Sequence, residues 1–199
     1  SYDAAAREST HAKAGADLTS DLRKQPLEKQ YALAVKAVFG GGATQIRTDE
    51  GVMYRYGKGQ LIWSSHAPLL IMPGSHDEGS PVTTGTLGIF YLREKSGTFE
   101  VASRFPTAVD GSIMGNPPEW QVSEQFGDFP VIVSKSGGVW QGYSCGGTLV
   151  TELATSGPRD LVAFDSHYSN GGARADGEKD ETVDGEITDI VRNKSFEVS

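Results

Sequence analysis

Four histidines, His11, His66, His76 and His167, carry the acid–base chemistry this chain offers near neutral pH. His76 opens the run His76-Asp77-Glu78, and His167 closes Asp165-Ser166-His167. An imidazole beside a carboxylate suits a hydrolase in which the ring takes a proton from a hydroxyl or a water. A small hydrolase built from His66, His76 or His167 with nearby carboxylates is therefore the enzymatic alternative. The pattern carries that reading no further. A triad is a spatial arrangement that residue types do not establish. Cys145 lies in a strand-like run with no helix after it to hold a thiolate, so it reads as a small buried hydrophobe.

Metal chemistry is equally sparse. No H-E-x-x-H or C-x-x-C occurs, and His66 and His76 stand ten residues apart across a loop. The acidic segment 176–189 holds seven carboxylates against Lys179 alone, a net charge of −6. Neither of its EF-hand frames works. A frame begun at Asp176 puts Glu181 where glycine is needed, and one begun at Asp180 ends on Val191 where glutamate is needed. Asp180 and Asp184 remain a weak calcium candidate, against the plainer reading of a solvated, self-repelling loop. The glycine runs at 40–42 and 171–172 lack the phosphate-binding lysine, so no cofactor is expected.

The positive signal is aromatic. Trp120, Trp140 and Tyr143 stand among glycine and polar residues, and Trp and Tyr offer an apolar body with a polar tip. Strand alternation puts Trp140 on the side of Gly138 and Gly142, so its ring is expected to have small neighbours and an uncovered face. These three residues are the expected ligand-binding set, for a partner protein or a glycan.

The elements that position them follow from punctuation. A helix over 26–39 is predicted from Leu27, Tyr31, Ala34, Val35 and Val38 on one face, with Pro26 at its start and Gly40-Gly41-Gly42 at its end. Strands are expected over 43–48, 52–56, 60–64 and 68–72, then 86–93, 98–105, 129–135, 139–145, 148–154 and 186–191. Pro73 to Pro81 reads as a loop, Pro106 as a strand end, and Ser136-Gly137-Gly138 as a hairpin turn. Links this short force antiparallel pairing. In 86–93, Leu87, Ile89 and Tyr91 alternate with Gly88, Phe90 and Leu92, the pattern of a central strand covered on both sides.

The fold class is thus α+β and mainly antiparallel β: a β-sandwich or strongly curved sheet with an N-terminal amphipathic helix packed on it. The expected organisation is a leader over 1–24, a loose helix or disordered, then a single β-rich domain over 25–199. The formal charge is −8, the chain outside the acidic segment is close to neutral, and no basic run exists, so nucleic acid is not an expected partner. No apolar run approaches a membrane span. The β-rich Gly/Thr/Ser composition and the start at Ser1 favour a periplasmic or secreted protein. A non-enzymatic exported binding module is the leading expectation. A structural component whose helix docks elsewhere is a third class.

Overall fold

Strand-forming runs closed by tight turns convert most of the chain into antiparallel sheet; the computed structural model describes residues 21–76, 83–173, 179 and 181–199. Helix α1 (Leu27–Phe39) comes first. β1 (Gln45–Arg47), β2 (Met53–Tyr56), β3 (Gln60–Trp63), β4 (Pro68–Ser75), β5 (Thr84–Lys95) and β6 (Thr98–Ile113) make one sheet. Its order is β1-β2-β4-β5-β6, with β3 also paired to β4. A second sheet contains β7 (Glu119–Ser123), β8 (Val131–Trp140), β9 (Tyr143–Ala154), β10 (Gly157–Ser169) and β11 (Thr182–Asp184), in the order β11-β10-β9-β8-β7. β12 (Ile187–Val191) and β13 (Ser195–Val198) form a separate hairpin.

These pieces stack as layers. Phe90 and Leu92 of β5 face α1, in a core with Ala34, Val38, Leu70 and Met72. Leu87, Ile89 and Tyr91 face the second sheet, in a core with Val109, Ile132 and Leu153. The far side of the second sheet buries Val131, Val133 and Val150 under Ile187 and Phe196 of the β12–β13 hairpin. β5 is thus the central strand covered on both sides that its sequence pattern implies, and the two curled sheets with one packed helix agree with the expected fold class.

The helix ends as its glycines dictate. Gly40 adopts φ 71° and donates its N–H to Lys36 O, the left-handed cap that a residue with a Cβ resists. Arg104 Nη1 donates to Val38 O at 2.9 Å, satisfying another terminal carbonyl. The N-terminal end is tied by Gln30, which is 1% exposed. Its amide donates to Arg23 O and Gln25 O, and its Oε1 accepts from Trp63 Nε1 at 2.7 Å. Leu22, inside the segment expected as leader, is 1% exposed and belongs to the helix-side core.

Several expected boundaries move, each for a physical reason. Leu27 is 75% exposed, not buried. It shares an azimuth with Ala34 but sits in the first turn, where Leu22 and Gln30 fill the interior. β4 continues through Pro73 to Ser75 because Pro73 falls where β3 gives way to β2 as the neighbour. There Gly57 donates to Pro73 O, and the proline's missing N–H leaves no gap in a ladder. β6 runs through Pro106 to Ile113 because it is an edge strand, and its register with β5 shifts at that point. β7, from a stretch not expected as a strand, adds to the edge of β8.

The hairpin turn also moves. β8 passes straight through Ser136-Gly137-Gly138, and the chain reverses at Gln141-Gly142 between the paired Trp140 and Tyr143. Gln141 has φ 49° and Gly142 φ 87°, the two successive positive values that a tight two-residue loop of the right twist needs. Val139 to Cys145 is therefore a turn flanked by strand ends, not a strand.

Burial predicts opposite outcomes for two helix positions. Val38→Asp, at a site 5% exposed, is expected to destabilise the full chain by several kcal/mol through an unpaired buried charge. Leu27→Asp should change stability by less than about 0.5 kcal/mol. Urea unfolding of both variants measures the contrast.

Candidate functional site

Strand parity divides the second sheet into two faces. On β9, Leu149 and Leu153 point to the first sheet, while Val150 points outward to the β12–β13 hairpin. Ser144, Gly146 and Thr148 share the parity of Val150, and Val139, Gly137 and Lys135 of β8 lie opposite them. Two adjoining depressions run along this outer face, of about 490 and 600 Å³, and share Lys135, Gly185 and Glu186 as walls. Together they form an open trough of mixed polar and apolar lining. It is bounded on one side by the link from β11 to β12.

At one end of the trough three side chains join across three strands. Asp184 of β11 lies directly opposite His167 of β10, and its Oδ1 is 2.6 Å from His167 Nδ1. His167 Nε2 is 2.9 Å from Ser144 Oγ on β9. An ionised carboxylate only accepts hydrogen bonds, so Nδ1 of the neutral ring carries the proton and Nε2 is left to accept from the serine hydroxyl. Ser144 and His167 are half-buried and Asp184 is exposed. A register shift between Asp165 and His167 makes the arrangement. Thr148 Oγ1 bonds Ser166 Oγ at 2.7 Å while Ser144 bonds His167, so consecutive β10 residues both engage the outer face of β9. That is the effect of a bulge on strand parity.

The inner face has a different end. Ile113, the last residue of β6, packs against Gly138, where a Cβ would lie 2.5 Å from Ile113 Cδ1. Beyond that rung the inner face emerges from under the first sheet. Trp140 is 63% exposed, Tyr143 44% and Tyr168 37%. Trp140 and Tyr143 are direct cross-strand neighbours, the Tyr143 and Tyr168 rings stack at 6.5 Å and 30°, and Val183 lies opposite Tyr168. The row crosses β8 to β11, about 14 Å at the usual inter-strand spacing. It carries no charged side chain, and Trp140 Nε1 and the two tyrosine hydroxyls have no protein partner among the described residues.

The remaining residues singled out from sequence fall elsewhere. Trp120 shares this face but pairs opposite Ser134, six residues back along β8 from Trp140, or about 20 Å. It packs on the inter-sheet core and lines a separate, smaller depression with Glu119, Gln121, Val133 and Lys135. Gly138 does not leave room beside the Trp140 ring, since Ile113 occupies that space, and Gly142 belongs to the turn. Cys145 is exposed, on the face of Tyr143 at the uncovered end, rather than buried. His66 is exposed, its ring tilted 37° against Phe129 at 4.6 Å. His76 is buried edge-on to Tyr54, with Nδ1 unpartnered among the described residues. Of the three described histidines, only His167 meets both a hydroxyl and a carboxylate; His11 lies outside the described residues. Asp180 lies outside the described residues, with Asp176 and Glu178 of the acidic segment; Asp184 is engaged by His167. Among the described residues no three His, Cys, Asp or Glu side chains gather as metal ligands.

Sequence reading missed Ser144 and Tyr168. Ser144 is the serine of Gly142-Tyr143-Ser144-Cys145-Gly146, a G-x-S-x-G string that here lies in a β-hairpin and not at a strand-to-helix elbow. The further signal is alternation: Tyr143-Ser144, His167-Tyr168 and Val183-Asp184 each put one residue on each face. Comparisons of the chain with protein-family models, with curated proteins and with solved structures each return no match.

The turn that holds both ends together is testable. Gly172 N–H donates to Gly142 O at 3.1 Å, and a Cβ on Gly142 would lie 2.3 Å from Gly172 backbone atoms. Gly51 has the same φ of 87° with open space around it. Gly51→Ala should therefore cost only the left-handed backbone penalty, about 1–2 kcal/mol. Gly142→Ala should cost more, and the difference in unfolding free energy reports the clash.

Proposed function

We propose that this protein is a binding module for a neutral glycan, held on the aromatic row of Trp140, Tyr143 and Tyr168. The observation that carries this reading is the exposure of three uncharged aromatic side chains in line on one sheet face, with polar tips that have no protein partner among the described residues. Pyranose rings present C–H faces that stack on aromatic rings and hydroxyls that bond to tyrosine O–H and indole N–H. A charged ligand would find no partner in this row. A protein partner is the competing occupant, and the same surface would serve it as an aromatic anchor. The row itself carries no charged side chain, which favours a neutral sugar. A glycan ligand also accords with a periplasmic or secreted location, which we propose on composition.

The experiment is affinity electrophoresis in gels containing soluble neutral polysaccharides such as xylan, glucomannan and hydroxyethylcellulose. At least one polymer should retard the full chain. Trp140→Ala should weaken that retardation about tenfold or more, with the melting temperature nearly unchanged because the ring is mostly exposed. Retardation in none of the polymers, or equal retardation of the variant, defeats the proposal.

A further inference from the structure

The outer trough carries chemistry that a binding role does not use. We infer that Ser144, His167 and Asp184 form an acyl-transfer site that cleaves short-chain carboxylic esters of polar alcohols. This inference stands on the opposite face of the sheet and does not rest on the glycan reading.

The roles follow from the bonds. His167 Nε2 accepts from Ser144 Oγ at 2.9 Å, the contact a general base needs with the hydroxyl it activates. Asp184 accepts the Nδ1 proton at 2.6 Å. It holds the imidazole in the tautomer that leaves Nε2 free and balances the imidazolium that forms. As Ser144 Oγ adds to the ester carbonyl carbon, its proton passes to Nε2 and the carbonyl π pair moves onto oxygen. Collapse breaks the bond to the alcohol oxygen, which takes the proton from Nε2, leaving an acylated Ser144. Water then adds, giving a proton to Nε2, and the Oγ–acyl bond breaks. Ser144 regains the proton and a carboxylic acid departs. No metal, oxidant or cofactor enters the balance.

The substrate class follows from the walls. Beside Ser144 the trough is lined by Gly137, Gly146, Ser136 and Val139, which offer no apolar channel for a long acyl chain. A Cβ on Gly146 would stand 3.3 Å from His167 Cβ, so glycine there keeps the approach to the imidazole low. Further along, Glu119, Lys135 and Glu186 supply charged and hydrogen-bonding groups for the alcohol portion. Lys135 pairs with Thr148, four residues along β9 from Ser144, so its charge lies at the alcohol end of the trough.

The test uses the full chain and p-nitrophenyl acetate, with p-nitrophenolate release followed by absorbance and acetylated peptides mapped by mass spectrometry. The expected result is a burst with a single acetyl group on Ser144, absent in Ser144→Ala. His167→Ala should slow acetylation about 100-fold or more, and Asp184→Asn should slow it to a lesser degree. His167→Gln keeps a donor towards Asp184 but cannot accept the proton, so it should lose as much rate as the alanine variant while keeping the wild-type melting temperature. Acetylation spread over other residues with Ser144 unmodified overturns the inference. So does acetylation of Ser144 at an undiminished rate in His167→Gln, which would leave the three side chains a purely structural row.

Discussion

The burial of β5 on both faces is the constraint on which the rest of the structure depends. Leu87 and Ile89 point one way and Phe90 and Leu92 the other, and all four are at most 1% exposed. A strand in that position cannot stand in a two-layer sheet with one wet side. It demands a helix on one surface and a second sheet on the other, and the chain supplies α1 before it and β7 to β10 after it. Each cover in turn exposes a second surface of its own. The outer face of the second sheet still holds Val131, Val133 and Val150, so the β12–β13 hairpin is needed to close it.

Both proposed sites lie where this layering runs out. The first sheet stops on the inner face at Ile113, and the β12–β13 hairpin covers only part of the outer face. The overhanging ends of β8 to β11 are left with two solvent faces built from adjacent residues. The pleat sends Tyr143 one way and Ser144 the other, and does the same for Tyr168 and His167 and for Val183 and Asp184. A slip of one residue would exchange the two surfaces. The bulge at Ser166 is what brings β10 back into phase, so that His167 meets both Ser144 and Asp184.

Much of this architecture was legible in sequence and much of the site was not. The helix, its glycine cap and the doubly covered β5 follow from side-chain periodicity, which is local. The errors came where a local signal had a nonlocal answer. Pro106 reads as a strand end unless the strand is known to lie at an edge. Gly137 and Gly138 read as a turn, yet Gly138 is small because Ile113, distant in sequence, packs on it. Gly137 lets backbones approach, since a Cβ there would lie 2.4 Å from Cys145 O. The turn itself fell to Gln141, which carries no strong turn preference. Ser144, His167 and Asp184 are separated by 23 and 17 residues, and only the ladder register with its bulge makes them neighbours.

The overhang would be a poor place for a binding surface if it were loose, because ordering aromatic side chains on a mobile hairpin subtracts from affinity. The structure counters this with three fixings at the tip. The two-residue turn sets the register of Trp140 against Tyr143. The Gly172 to Gly142 bond clamps that turn to the segment after β10, and Ile113 pins β8 two residues before Trp140. Stacking of Tyr143 on Tyr168 then restricts two of the three rings before any ligand arrives. Such exposed contacts add little to global stability. Their effect is to hold an apolar row in place beyond the core, and a row held in place in advance surrenders less entropy when a sugar or any other flat apolar face settles on it.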